Sequence, residues 1–183
     1  MIAQQIHNGF SYTLTTKLGD ILNYAEAQYG KRDYSYTILG IEFYNLPIPQ
    51  VWYPQNCKHY AIQLTARCLI DFNEGIYELA HEVIHCLSPT AGQFPATVLE
   101  EGIATYFAVD YTQKNGHGNF SNITDQRYKN AYNLFSQLIA FDIDIIKKVR
   151  QVQPTISLIA HSEIIAINNT IPIQLATDLT QIF

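Results

Sequence analysis

EGIYELAHEVIHCL, residues 74–87, is the strongest helical pattern in the chain. Ile76, Leu79, Ala80, Val83, Ile84 and Leu87 recur at spacings of three and four, the period of a helix with one buried stripe. Ser88-Pro89 ends the pattern, because the residue before a proline is pushed out of the helical region. His81 and His85 flank the buried stripe. Four apart on a helix, they point the same way, at a separation that suits one zinc ion. Glu82, between them, is turned away from direct ligation and can hold and deprotonate a water at the open coordination position. At the chain's own His and Glu frequencies such a string arises by chance in about one chain in a hundred. Cys86 follows His85 directly, but on a helix it points about 100° away, so it reads as a core thiol.

The upstream half carries strands and one helix. Residues 19–30 read as a short helix, with Asp20 as cap and Gly30 as stop. Residues 36–45, YTILGIEFYN, are rich in β-branched and aromatic residues and read as a strand. LPIPQVWYPQN, which follows, is too proline-rich for a central strand or a helix and reads as a surface loop. Residues 59–66, HYAIQLTA, read as a second strand, and Asp71 to Asn73 offer caps for the helix at 74–87.

Downstream the pattern is helical. Pro95 introduces a helix over 96–111, ATVLEEGIATYFAVDY. A Gly- and Asn-rich turn covers 115–122. A third helix spans 124–141 with Thr124 or Asp125 as cap, and 142–152 reads as a further helix. The apolar run 155–167 fits helix or strand, and 175–183 reads as a last short helix. Strands first and helices after predict an α+β fold, a small antiparallel or mixed sheet followed by a helical part, in one domain over 1–183.

The chain has 183 residues, 48% of them hydrophobic, enough for one core and too few for two comfortable domains. The formal net charge of -5, with no long Lys/Arg run, speaks against a nucleic-acid partner. Lys147, Lys148 and Arg150 read as the solvated face of a helix. No signal peptide is visible and no run reaches the length of a membrane span, so no membrane partner is expected. Cys57, Cys68 and Cys86 form an odd set without paired spacing, which fits a reducing, cytoplasmic compartment. The two sequons at Asn119 and Asn122 then have no bearing.

LAHEVIH, followed after a short gap by EEGIATYF, resembles the zincin metallopeptidases, in particular the gluzincin branch. There a glutamate on a second helix, in the context E-G-x-A, completes a His, His, Glu ligand set. The resemblance covers about 60–111. It implies a zincin-like fold, a Zn2+ ion held by His81, His85 and Glu101, with Glu100 as the competing ligand, and Glu82 as general base. It implies hydrolysis of a peptide or protein substrate whose extended backbone pairs with the strand at 59–66, taken as the cleft edge.

The gap between His85 and Glu101 is shorter than in the large enzymes of that group, implying a minimal core. Thr105 stands where the group often has an acid that holds a ligand histidine, and Asp110 lies too far along the helix to replace it. The partner that orients the imidazole is therefore unassigned from sequence. The donor to the developing oxyanion is expected from a later helix, with Tyr128 the choice and Tyr132, His117 and His161 the alternatives. A catalytically weak or inactive relative that binds zinc or protein is the competing functional reading.

Overall fold

The computed structural model describes residues 3–56, 58–121 and 123–183; Cys57 and the sequon residue Asn122 lie outside them. β1 (Ala3–Ile6) and β2 (Gly9–Thr13) pair antiparallel and lead straight into α1 (Leu14–Tyr29). This helix starts earlier than expected at 19, and Asp20 is not its cap. The Thr13 side chain accepts from the Thr16 N–H at 3.3 Å and caps it at Leu14 instead. Gly30 ends it as expected, at φ 95, a conformation glycine adopts without strain.

The principal sheet has three strands: β3 (Thr37–Tyr44), β4 (Gln50–Trp52) and β5 (His59–Thr65), in the order β3-β5-β4. β5 runs parallel to β3, with Thr37 opposite His59 and Tyr44 opposite Thr65. It runs antiparallel to β4, with Gln50 opposite Gln63 and Trp52 opposite Ala61.

Two expectations change here. The 59–66 strand is the centre of the sheet, not its edge, so it has no free side along 61–63 for a substrate. Its apolar run fits that place, because Tyr60, Ala61, Ile62 and Leu64 are buried. The proline-rich 46–56 segment is not loop alone. It contains β4, a strand short enough to sit between Pro49 and Pro54, and at an edge where proline is tolerated. A side-chain ladder crosses all three strands: Gln50 Nε2 donates to Gln63 Oε1 at 2.8 Å, and Gln63 Nε2 donates to Glu42 Oε2 at 3.0 Å.

Helices fill the rest: α2 (Phe72–His85), α3 (Val98–Lys114), α4 (Gln126–Phe141), α5 (Ile145–Val149), α6 (His161–Ile167) and α7 (Ile173–Leu179). α2 lies where expected, capped by Asp71, whose Oδ1 accepts from the N–H groups of Asn73 and Glu74 at 2.9 and 3.1 Å. Asp125 caps α4 in the same way through the Arg127 N–H at 2.8 Å. The helix expected over 142–152 shrinks to Ile145–Val149. The ambiguous run at 155–167 becomes a turn followed by α6. After α7 the chain extends back beside α3, where the Phe183 N–H donates to the Ala96 carbonyl at 3.0 Å. The overall class is α+β, mostly helical, with a small mixed sheet. Among the described residues no helix is long and apolar enough to cross a membrane.

One core runs through these elements. Ile76, Leu79, Ala80, Val83 and Ile84 of α2 are buried against β5, α1 and α3. α3 and α4 meet at Gly102, where an added Cβ would lie 2.7 Å from the Ala131 carbonyl oxygen and 2.9 Å from Phe135 Cβ. Neither atom can swing aside, since one is backbone and the other roots a buried ring. Gly102→Ala should therefore cost about 1–3 kcal/mol of overpacking against a helix-propensity gain of at most about 1 kcal/mol. Urea denaturation is expected to show a net loss of stability.

Arg150 corrects a further expectation. Lys147 and Lys148 are exposed, but Arg150 is only 8% exposed. Its guanidinium donates to the carbonyls of Tyr29 and Gly30 at 2.8 and 2.9 Å, of Lys31 and Leu87 at 2.9 and 3.1 Å, and of Pro154 at 3.1 Å. It thereby joins the C-terminal ends of α1 and α2. The thiols of Cys68 and Cys86 are buried, as a core role for Cys86 requires. Burial pushes the Cys68 thiol up to about 12.

Candidate metal centre

α2 turns His81, Glu82 and His85 into one cleft, and their ligand-type atoms lie within 4.8 Å of one another. The partner element is α3. Thr97 caps it by accepting from the Glu100 N–H at 3.3 Å, which sets Glu100 and Glu101 in its first turn, where a helix favours negative charge. Packing against α2 then buries both carboxylates.

The adjacent acids do different things. Glu101 Oε2 lies 3.1 Å from His81 Nε2, and Glu101 Oε1 lies 3.6 Å from His85 Nε2. Glu100 Oε1 lies 2.9 Å from His85 Nδ1, on the other side of the ring. When Nδ1 carries the proton and donates to Glu100, the His85 Nε2 lone pair faces Glu101 and the cleft.

In a tetrahedral zinc site with bonds of 2.0–2.1 Å, neighbouring ligand atoms stand about 3.3 Å apart. The two imidazole-to-carboxylate separations fall on either side of that value. The donor set, two imidazoles and a carboxylate, is also one that zinc takes with a position left open, the His85 ring giving up a proton as the ion binds. The residues fit the ion.

The electrostatics agree with the packing. Burial pushes the Glu82 carboxyl above its ordinary range, while His85 and His81 beside it pull the other way. Glu82 is 3% exposed and makes no hydrogen bond to protein among the described residues. Burial would also raise Glu101, but His85 and His81 outweigh it and hold that carboxyl low. Burial would lower His85, yet Glu101 and the Glu100 hydrogen bond raise it to about 10.

No protein-family model, curated protein or solved structure matches the chain.

Of the proposed oxyanion donors, only Tyr128 reaches the centre. Its ring meets the His81 ring edge-on, with centroids 5.8 Å apart, and packs against Phe183 at 4.8 Å. Burial raises its phenol, and Glu101 and Glu82 add to the shift, so the hydroxyl keeps its proton. Tyr132 sits instead on Tyr106 at the α3–α4 seam. His117 packs on Phe72 near the start of α2, and its Nδ1 lies 3.3 Å from Asn73 Oδ1. His161 is exposed at the first position of α6.

Two cavities flank the centre and share Ile48, Pro49, His81, Glu82 and Tyr128. One, about 240 Å³, runs along β4 through Gln50, Val51 and Tyr53. The other, about 350 Å³, opens toward Tyr77, Phe120 and Ile123.

Sequence reasoning weighed Glu100 only as a rival ligand and missed its contact with His85. The available signal was the acid pair itself. Adjacent residues on a helix lie about 100° apart, so two neighbouring acids can address two sides of one imidazole. Thr105, at the position considered for an orienting acid, is buried with its hydroxyl unpartnered among the described residues.

Proposed function

We propose that this chain is a zinc-dependent peptide-bond hydrolase with a zincin-like site. The observation that carries the reading is the Glu101 carboxylate set at ligand–ligand distances from both Nε2 atoms, beside a buried carboxylate, Glu82, with no hydrogen-bond partner among the described residues. His81, His85 and Glu101 would hold the ion. When bound, zinc supplies Lewis acidity, which polarises a carbonyl and acidifies water.

The chain's own groups do the rest. Glu82 takes a proton from water in the cleft and hands it to the leaving nitrogen, a role suited to a carboxyl raised by burial. Tyr128 donates its hydroxyl to the oxygen that gains charge. Glu100 fixes the His85 ring. β4, with its outer edge unpaired in the sheet and the smaller cavity beside it, replaces the 59–66 strand as the element that can hold extended substrate backbone.

Elemental analysis of the purified protein tests the reading. One zinc per chain is expected, with loss of metal in His81→Ala, His85→Ala and Glu101→Ala. Glu100→Ala should keep the site but weaken it about 10–100-fold, read by competition with a chelator. If Glu100→Ala lost all zinc and Glu101→Ala kept it, the two roles would be reversed. Tyr128→Phe should bind zinc normally and lower kcat about 10²-fold. Stoichiometric zinc with no cleavage of any peptide would leave a zinc- or protein-binding module.

A further inference from the structure

We propose that the cleft takes an internal segment of a peptide, with chain on both sides of the bond to be cut, and that its larger cavity receives a bulky apolar side chain. This rests on the peptidase reading for its chemistry, but it stands on separate features. The two cavities lie on either side of His81, Glu82 and Tyr128, so the groove does not stop at the centre. An exopeptidase needs a closed end with a charge that fixes the terminal amine or carboxylate, since an unpaired terminal charge taken out of water is costly.

Apart from His81, Glu82, His85 and Glu101 at the centre itself, the charged side chains lining the groove are already engaged. Glu100 holds His85. Arg67 pairs with Glu74 at 3.2 Å and Glu78 at 3.7 Å. Glu78 also accepts from the Thr65 N–H and hydroxyl at 2.8 and 2.6 Å. Asp125 caps α4. Among the described residues lining the groove, none of these is left over to anchor a terminus.

What the larger cavity offers instead is apolar surface. Phe120 stacks on Tyr77 with centroids 4.7 Å apart, and Pro47, Ile48 and Ile123 complete that side. About 350 Å³ is room for one aromatic or branched side chain. Ile48 is 57% exposed at the mouth, an apolar rim that favours the same kind of ligand.

The test separates binding from cutting. Zinc-loaded Glu82→Gln protein is titrated calorimetrically with octapeptides acetylated and amidated at their ends, carrying Phe or Ala at a central position, and with the same peptides uncapped. The Phe peptide is expected to bind at least about tenfold tighter than the Ala peptide, since even one methylene in an apolar pocket is worth about tenfold or more. Capping should carry no penalty. Ile123→Lys and Phe120→Ala in the same background should each shrink the Phe preference with zinc content and circular dichroism unchanged.

Dependence on a free terminus, equal binding of Phe and Ala peptides, or binding of no peptide would overturn the proposal. Wild-type protein that binds the capped Phe peptide selectively yet leaves it intact by mass spectrometry would overturn the hydrolytic reading and leave the groove assignment standing.

Discussion

Glu82→Gln should lower peptide hydrolysis about 10³-fold while zinc content stays at the wild-type level. The change removes the group proposed to accept and return the proton and alters almost nothing else. Gln has the shape of Glu, and the Glu82 side chain has no protein hydrogen bond to lose among the described residues. His81, His85 and Glu101 keep their places.

The same substitution should not harm the metal-free fold. The Glu82 carboxyl is raised by burial, so the folded state holds its proton more tightly than the unfolded chain does. Its ionisation therefore works against folding as pH rises above the ordinary carboxyl range. Gln removes that cost. The metal-free variant is expected to match or exceed the wild type in stability at neutral pH, and the difference should vanish below about pH 4, where the unfolded carboxyl is also protonated. Urea melts at the two pH values check this. A variant that lost zinc together with activity would show that Glu82 is a ligand, not a base.

The second large effect is on stability. Arg150→Met should destabilise the protein by about 3–4 kcal/mol, a large part of the 5–15 kcal/mol that holds a typical domain. Removing the guanidinium strands carbonyls from two helix ends and the 154 turn, and the buried ones cannot all turn to water. The apolar stem that Met retains isolates the lost hydrogen bonds from lost packing. Arg150→Lys keeps the charge but not the planar fork, so it should fall between the two. Thermal unfolding should drop by roughly 6–16 °C for Arg150→Met. A change under 1 kcal/mol would mean that solvent replaces the guanidinium at no cost.

Legibility in the sequence followed the range of the interactions. α2 and α4 were readable because their signals are local: Asp71 and Asp125 as caps, and an apolar stripe at three and four. The metal spacing on α2 was local too. Strand order was not, because it depends on pairing between segments far apart in the chain. Nothing within 59–66 says that β3 will lie on one side and a strand hidden between Pro49 and Pro54 on the other. Arg150 looked like a surface cation because its acceptors sit at 29–31 and 87. The split between Glu101 and Glu100 depended on how α3 is rotated against α2, which brings Glu101 to both Nε2 atoms and Glu100 to His85 Nδ1. Tyr128 differs from the other aromatics at helical spacing by its tertiary contacts with His81 and Phe183, which no local pattern shows.

The helix that carries the histidines is held at two points. Glu78, one turn before His81, bonds to Thr65 at the end of β5, and Leu87, just past His85, is held by Arg150. Glu101 and Glu100 hold the imidazoles themselves. The rotamer freedom of these side chains is thus already lost when the protein folds. On the proposed zinc reading, capturing the ion would cost little conformational entropy, and releasing it to a chelator should leave the far-ultraviolet circular dichroism unchanged. Such a site would differ from small zinc domains, whose folding and metal binding are one event.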